Sequence, residues 1–125
     1  MGIPAEKVVV VEQSLEPVSE SVRPVDLTHL ARQTFGQRDL EQEVLRLFLS
    51  HSAIHLARLT GSSDSNGVRA AAHFIKGSAR GIGAWQVATA AEMVERFPDP
   101  QGEAIENLVG AVEETNAFIE TLLDD

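Results

Sequence analysis

Apolar residues recur at helical spacing along most of the chain, and glycines, prolines and clusters of turn-forming residues interrupt this pattern between segments. The helical segments cover residues 26–36, 39–60, 68–82, 84–97 and 105–123. The only convincing strand pattern is a run of valines near the start. The spacing therefore predicts an all-α fold. Four long amphipathic helices joined by short loops bury their apolar stripes most economically in an antiparallel up-down four-helix bundle, with the short first helix as an extra element.

Capping residues set the expected helix ends. Asp26 is placed as the N-cap of the short first helix, and Asp39 as the N-cap of the second. Gly61 is placed to stop the second helix, and the turn formers of residues 62–67 indicate a loop before the third. Residues 98–102, Pro-Asp-Pro-Gln-Gly, should break the chain before the last helix.

Residues 1–24 differ from the rest, because they hold three of the five prolines and show no helical pattern. We expect them to form a flexible N-terminal tail, followed by one bundle domain over residues 25–125. The run Val8–Val11 could instead pair as a short strand or dock on a partner.

Composition excludes several classes of function. A net charge of −9 argues against nucleic acid as a partner, because that binding needs an excess of Lys and Arg to neutralise phosphates. The absence of cysteine removes disulfides and thiolate chemistry. There is neither a stretch of roughly 20 apolar residues nor a secretory signal, so we expect no membrane span and a cytoplasmic protein.

The third helical segment carries the candidate chemistry. At 100° per residue, one side collects the apolar residues Val68, Ala72, Ile75, Ala79 and Ile82. His73 points about 140° away from the middle of that stripe, so we expect its imidazole to be exposed.

Glycine and cations surround this histidine. Gly77 lies one turn after His73 on the same face, where it would clear the approach to the ring; a helix end or close packing would also explain a glycine there. Lys76, Arg80 and Arg69 flank the face. Their charge should favour the neutral, nucleophilic imidazole and attract a phosphoryl group.

The segment His73-Phe74-Ile75-Lys76-Gly77-Ser78, followed by Gly83-Ala84, resembles the core motif of histidine phosphotransfer (HPt) domains. The resemblance extends over residues 26–123 and implies a four-helix bundle with an exposed phosphoacceptor histidine. It gives His73 the role of phosphoacceptor, Lys76 that of a charge-complementing neighbour, Gly77 that of the cleared position and Ser78 that of a small polar residue. Arg80 adds an optional cation.

The same resemblance implies a phosphoryl carrier rather than an enzyme. A response-regulator receiver domain would supply the aspartate, the Mg²⁺ and most of the catalysis, and a hybrid sensor kinase would stand upstream. We expect a monomer that binds no cofactor or metal of its own. Its partner surface would contain Arg69, Ala70, Phe74 and Gly77, with Phe74 either an exposed anchor or packed on the first helix. Glu95 could orient the imidazole or simply be solvated.

Other readings of the sequence remain open. His51 and His55 are spaced i, i+4 and could share a metal on one helix face, although no third ligand is evident. A helical adaptor that binds a receiver or kinase without accepting phosphoryl would share the same fold. Trp85 and the sparse phenylalanines are expected to anchor the core or an interface rather than to stack on bases.

Overall fold

The computed structural model describes residues 23–123, and these contain five α-helices and no strand. The helices are α1 (Leu27–Gln33), α2 (Arg38–Gly61), α3 (Ser65–Ile82), α4 (Trp85–Arg96) and α5 (Glu103–Leu123). Helices α2 to α5 pack on their neighbours in chain order, α5 returns to α2, and α1 packs on α3. The prediction of an all-α bundle with a short extra helix is confirmed.

The core is built from one apolar stripe of each long helix. The stripe predicted on α3 is confirmed, since Val68, Ala72, Ile75, Ala79 and Ile82 are all buried. They meet Leu45, Phe48 and Leu59 of α2, Val87, Ala91 and Val94 of α4, and Ile105, Leu108, Val112 and Ile119 of α5. Burial of these stripes fixes the rotation of each helix and therefore which face of α3 meets solvent.

Helix α1 is attached to the junction between α3 and α4. The Asp26 side chain accepts a hydrogen bond from the backbone N–H of His29, which confirms Asp26 as the N-cap, and a second from Nε1 of Trp85 at 3.0 Å. The Asp26 N–H donates to the Gly83 carbonyl at 2.9 Å. His29 Nε2 lies 3.0 Å from the Arg80 carbonyl in the last turn of α3. Trp85 is therefore an anchor between α1 and α4.

Gly83 ends α3 in the left-handed conformation, with φ +79°. A Cβ on this residue would stand 2.9 Å from the Cβ of Asp26. Both the backbone angle and the close approach of α1 therefore require glycine here.

Two helix starts differ from the sequence-based expectation. Helix α2 begins at Arg38 with Gln37 as its N-cap, so Asp39 lies inside the first turn. Its negative charge there interacts favourably with the positive end of the helix dipole. Helix α3 begins at Ser65 rather than near Val68, because Asp64 accepts from the Asn66 N–H and caps an earlier start. The predicted loop is thus shortened to the residues between Gly61 and Ser65.

The predictions for residues 1–24, including the valine run Val8–Val11, fall almost wholly outside the described residues. Among the helices that are described, none is both long and apolar enough to cross a bilayer.

Candidate functional site

His73 lies in the middle of α3 and points away from the bundle. Its side chain is 71% exposed. The predicted exposure is confirmed, and it follows from the buried stripe on the opposite side of the helix. One ring nitrogen is engaged, while the rest of the imidazole faces solvent.

Glu95 of α4 is the partner of that ring nitrogen. Its Oε2 lies 2.7 Å from His73 Nδ1, and its Oε1 lies 2.5 Å from Lys76 Nζ. The Glu95 side chain is only 18% exposed, so the carboxylate is not simply solvated. It joins two residues of α3 that are three positions apart.

The environment of Glu95 keeps it ionised. Burial by itself would raise its pKa, but hydrogen bonds from Lys76 and His73, together with their charges, outweigh burial and hold the pKa below its ordinary value. A charged carboxylate therefore stands beside the imidazole at neutral pH.

The three cations around His73 all have partners, which the sequence analysis did not consider. Lys76 is paired with Glu95, and Arg80 Nη2 lies 3.6 Å from Oε1 of Glu92, which also pairs with Arg96. Arg69 donates to the Glu95 backbone carbonyl at 3.4 Å. The sequence-based expectation did not include the two carboxylates that α4 places against Lys76 and Arg80.

These α4 carboxylates are the residues of the candidate site that sequence reasoning largely missed. Glu92 was not singled out, and Glu95 was considered only as one of two possibilities. Their spacing of three residues on one helix is a signal that both share a face. Which helix that face meets depends on the packing of α4 against α3.

Gly77 lies well inside α3, and a Cβ built on it would meet nothing within 4 Å. Neither a helix end nor close packing within the described chain explains this glycine. Clearance for an approach to His73 stays a prediction for this position.

Ser78 is not brought next to His73. Five residues along a helix turn the side chain about 140° away, and Ser78 lines a groove of about 300 Å³ with Thr34, His51 and Ile82. Any contribution of Ser78 to the chemistry of His73 has to act through the helix rather than by contact.

Phe74 is exposed at one edge but packs on α2, not on the first helix. Its ring stacks on His55 with centroids 3.8 Å apart and meets the edge of His51 at 6.0 Å. Burial, and then the charges of Arg58 and His51, lower the pKa of His55, so its ring is neutral at neutral pH. Phe74 and Ala70 border a groove of about 600 Å³ between α2 and α3.

The two histidines of α2 are thus explained by aromatic packing. In the part of the chain that the structure describes, no group of three or more His, Cys, Asp or Glu side chains could hold a metal ion.

A helical bundle with an exposed histidine midway along one helix, beside a glycine and a lysine, is the arrangement that the resemblance to HPt domains implied. A model of the Hpt domain family matches residues 43–125, more than half of the chain, and the chain therefore belongs to this family. Hpt domains carry out histidine phosphotransfer in phosphorelays, interact with receiver domains and are phosphocarriers rather than enzymes. Neither a search of curated proteins nor one of solved structures found a match.

Proposed function

We propose that His73 accepts a phosphoryl group at Nε2 from the aspartyl phosphate of one receiver domain and passes it to the aspartate of another. The observation that carries the proposal is the contact between His73 Nδ1 and the Glu95 carboxylate on an otherwise exposed ring.

The contact selects the reacting nitrogen. A carboxylate can only accept a hydrogen bond, so Nδ1 carries the proton and Nε2 keeps its lone pair in the neutral ring. Nε2 is the ring nitrogen that does not contact Glu95, and the His73 side chain is 71% exposed. The Glu95 carboxylate therefore fixes both the tautomer and the direction of attack.

The transfer step then balances within the two proteins. The Nε2 lone pair forms the bond to phosphorus, while the bond from phosphorus to the aspartate oxygen breaks and its electron pair leaves with the aspartate. The ring becomes a phosphoimidazolium with its proton still on Nδ1. Glu95 stabilises this positive charge at hydrogen-bond distance. The same steps in reverse transfer the phosphoryl group from Nε2 to the aspartate of the second receiver.

Gly77 and its neighbours would form the surface that the receiver meets. The open space over Gly77 lets a bulky phosphoryl donor approach in line, and Ala70, Phe74 and Arg69 border the same exposed side of α3. The receiver would supply the Mg²⁺ and most of the catalysis, and a hybrid sensor kinase would load it. We place this monomeric carrier, which holds no cofactor of its own, in the cytoplasm with these partners.

The test is phosphoryl transfer from a radiolabelled, phosphorylated receiver. Wild-type protein should take up label, His73→Gln should take up none, and His51→Gln, which removes a neighbouring imidazole on α2, should behave like wild type. Label on the His73→Gln protein would contradict the assignment of the acceptor.

A further inference from the structure

A second surface lies on the far side of α4 from Glu95. It is a groove of about 570 Å³ between α4 and α5, lined by four apolar residues, Trp85, Ala90, Met93 and Ala104, by three uncharged polar residues and by Glu103. Met93 and Glu95 are two residues apart on one helix and so point to nearly opposite sides. The groove is therefore separate from the His73 site.

The groove leaves two large apolar side chains partly exposed, although Trp85 also contacts Asp26 and His29. Trp85 is 43% exposed and Met93 42% exposed. Glu103 is the one charged residue among the described side chains that line the groove. Adjacent exposed apolar residues on a small protein usually mark a contact surface.

The chain enters the described fold at one end of this groove. Arg23 is the first described residue, and Asp26 follows three positions later with its carboxylate 3.0 Å from Nε1 of Trp85. Residues 1–22 are therefore attached close to the Trp85 end of the groove.

Those residues contain a complementary segment. Val8–Val11 are four consecutive β-branched aliphatic residues, and Lys7, directly before them, is the one cation among residues 1–22. The groove offers four apolar side chains, three uncharged polar ones and a single acid, Glu103. Burying valine side chains against the apolar part of the groove is favourable, because it removes apolar surface from water.

We propose that the Val8–Val11 segment of this same chain docks in the groove between α4 and α5, with Lys7 near Glu103. The lengths agree, because four extended residues span about 13 Å and the helix rises about 12 Å from Trp85 to Met93. Eleven residues separate Val11 from Arg23, and such a connection can span up to roughly 36 Å.

Attachment in one chain favours this occupant over a separate molecule. A short linker gives a tethered segment an effective concentration on the order of millimolar. A weak apolar contact is then populated within the chain at protein concentrations where a second copy binds little.

Trp85 is the single tryptophan of the protein, so its fluorescence in the full chain reports on the groove. Val9→Asp/Val10→Asp should shift the emission to the red and raise quenching by acrylamide on the order of twofold, since the indole would lose its cover. Gln13→Asp/Ser14→Asp makes the same charge change outside the valine run and should leave both unchanged. Equal spectra for wild type and the valine variant would overturn the proposal.

A distance measurement identifies the occupant. Because the chain has no cysteine, Val10→Cys provides a single site for a spin label. The label should broaden the amide resonances of Ala90 and Ala104 and spare those of Gln42 and Leu47 on α2. Broadening on α2 instead, or broadening of isotope-labelled protein by a separate spin-labelled copy, would overturn docking within the chain.

Phosphoryl transfer separates this proposal from the relay function. The Val9→Asp/Val10→Asp variant should accept phosphoryl at the wild-type rate, because the groove is on the opposite side of α4 from His73. Loss of transfer with unchanged tryptophan emission would assign the valines to the receiver surface and overturn the proposal. The fluorescence result holds whether or not His73 accepts phosphoryl.

Discussion

The Nδ1 atom of His73 on α3 lies 2.7 Å from the Oε2 atom of Glu95 on α4, and the other oxygen of that carboxylate pairs with Lys76. One side chain thus connects the candidate phosphoacceptor with the lysine of its motif. This arrangement defines which changes at the site should be informative.

Replacing Glu95 by glutamine should slow phosphoryl transfer without abolishing it. The amide can still accept a hydrogen bond from Nδ1 but carries no charge, and a charge-assisted bond exceeds a neutral one by about 1 kcal/mol. We expect the transfer rate to fall roughly fivefold, since about 1.4 kcal/mol corresponds to a factor of ten. Single-turnover transfer from a phosphorylated receiver measures the effect.

Phosphorus NMR of the loaded protein checks the same contact independently. The wild type should contain only the Nε2 isomer of phosphohistidine, and Glu95→Ala should give a mixture because nothing then holds the proton on Nδ1. A wild-type product phosphorylated at Nδ1 would contradict the proposed mechanism.

Gly77→Ala should make the protein more stable and less active. Alanine is favoured over glycine in a helix by about 1 kcal/mol, and a Cβ here meets nothing within 4 Å. The same Cβ would lie more than 4 Å from the imidazole but on the side of α3 from which we propose that the donor approaches. We expect a higher free energy of unfolding in urea and slower phosphoryl transfer.

Gly110→Ala is the matched control for that experiment. Gly110 lies inside α5, and an added Cβ would likewise stand in open space there. It should give a similar gain in stability with unchanged transfer. Equal transfer rates for the Gly77 and Gly110 variants would show that the missing side chain at Gly77 is not needed for the phosphoryl donor to reach His73.

Gly83→Ala should destabilise the fold by at least about 2 kcal/mol, because left-handed backbone costs a non-glycine residue roughly 1–2 kcal/mol and the added carbon also meets Asp26 at 2.9 Å. Gly36 has φ +72° but open space, so Gly36→Ala isolates the backbone cost and should lose about 1 kcal/mol. Urea unfolding of both variants tests this difference. Equal losses would mean that the contact with α1 contributes nothing.

Acid should remove the stabilisation supplied by Glu95. Because its folded pKa is below the ordinary value of 4.5, the unfolded chain binds this proton first as the pH falls. The contribution is therefore complete above that value and is lost as pH falls through the lower folded pKa. The difference in unfolding free energy between wild type and Glu95→Gln should shrink from about pH 6 to about pH 3. A difference that does not change with pH would argue against the ion pair.

Helical periodicity was sufficient to predict the order of the helices, the buried stripe of α3 and the outward direction of His73. It did not predict the first residues of α2 and α3 correctly, because the residues that cap these helices differ from the expected ones. Residues 65–67 are of types common in loops, yet they form the first turn of α3 because Asp64 caps the helix before them. Gln37 takes the N-cap position expected of Asp39, although its side chain makes no capping bond.

The sequence predicted only those features of the site that depend on α3 alone. The positions of His73 and Gly77 follow from spacing within α3, whereas the ion pairs of Lys76 and Arg80 depend on how α4 is rotated and shifted against α3. The stacking of Phe74 on His55 depends in the same way on α2. Such registers arise from packing between segments distant in sequence, which periodicity within one segment does not encode.

Helix α1 has only seven residues, far fewer than the roughly 12–15 that an isolated helix needs for marginal stability. Its Asp26 and His29 are nevertheless bonded to Gly83 and Arg80 at the end of α3. Its amide protons should therefore exchange with deuterium through opening of the α3–α4 hairpin, at rates matching those of that hairpin, rather than through local unfolding of α1 alone. Helix α1 should thus unfold cooperatively with α3, the helix that carries His73.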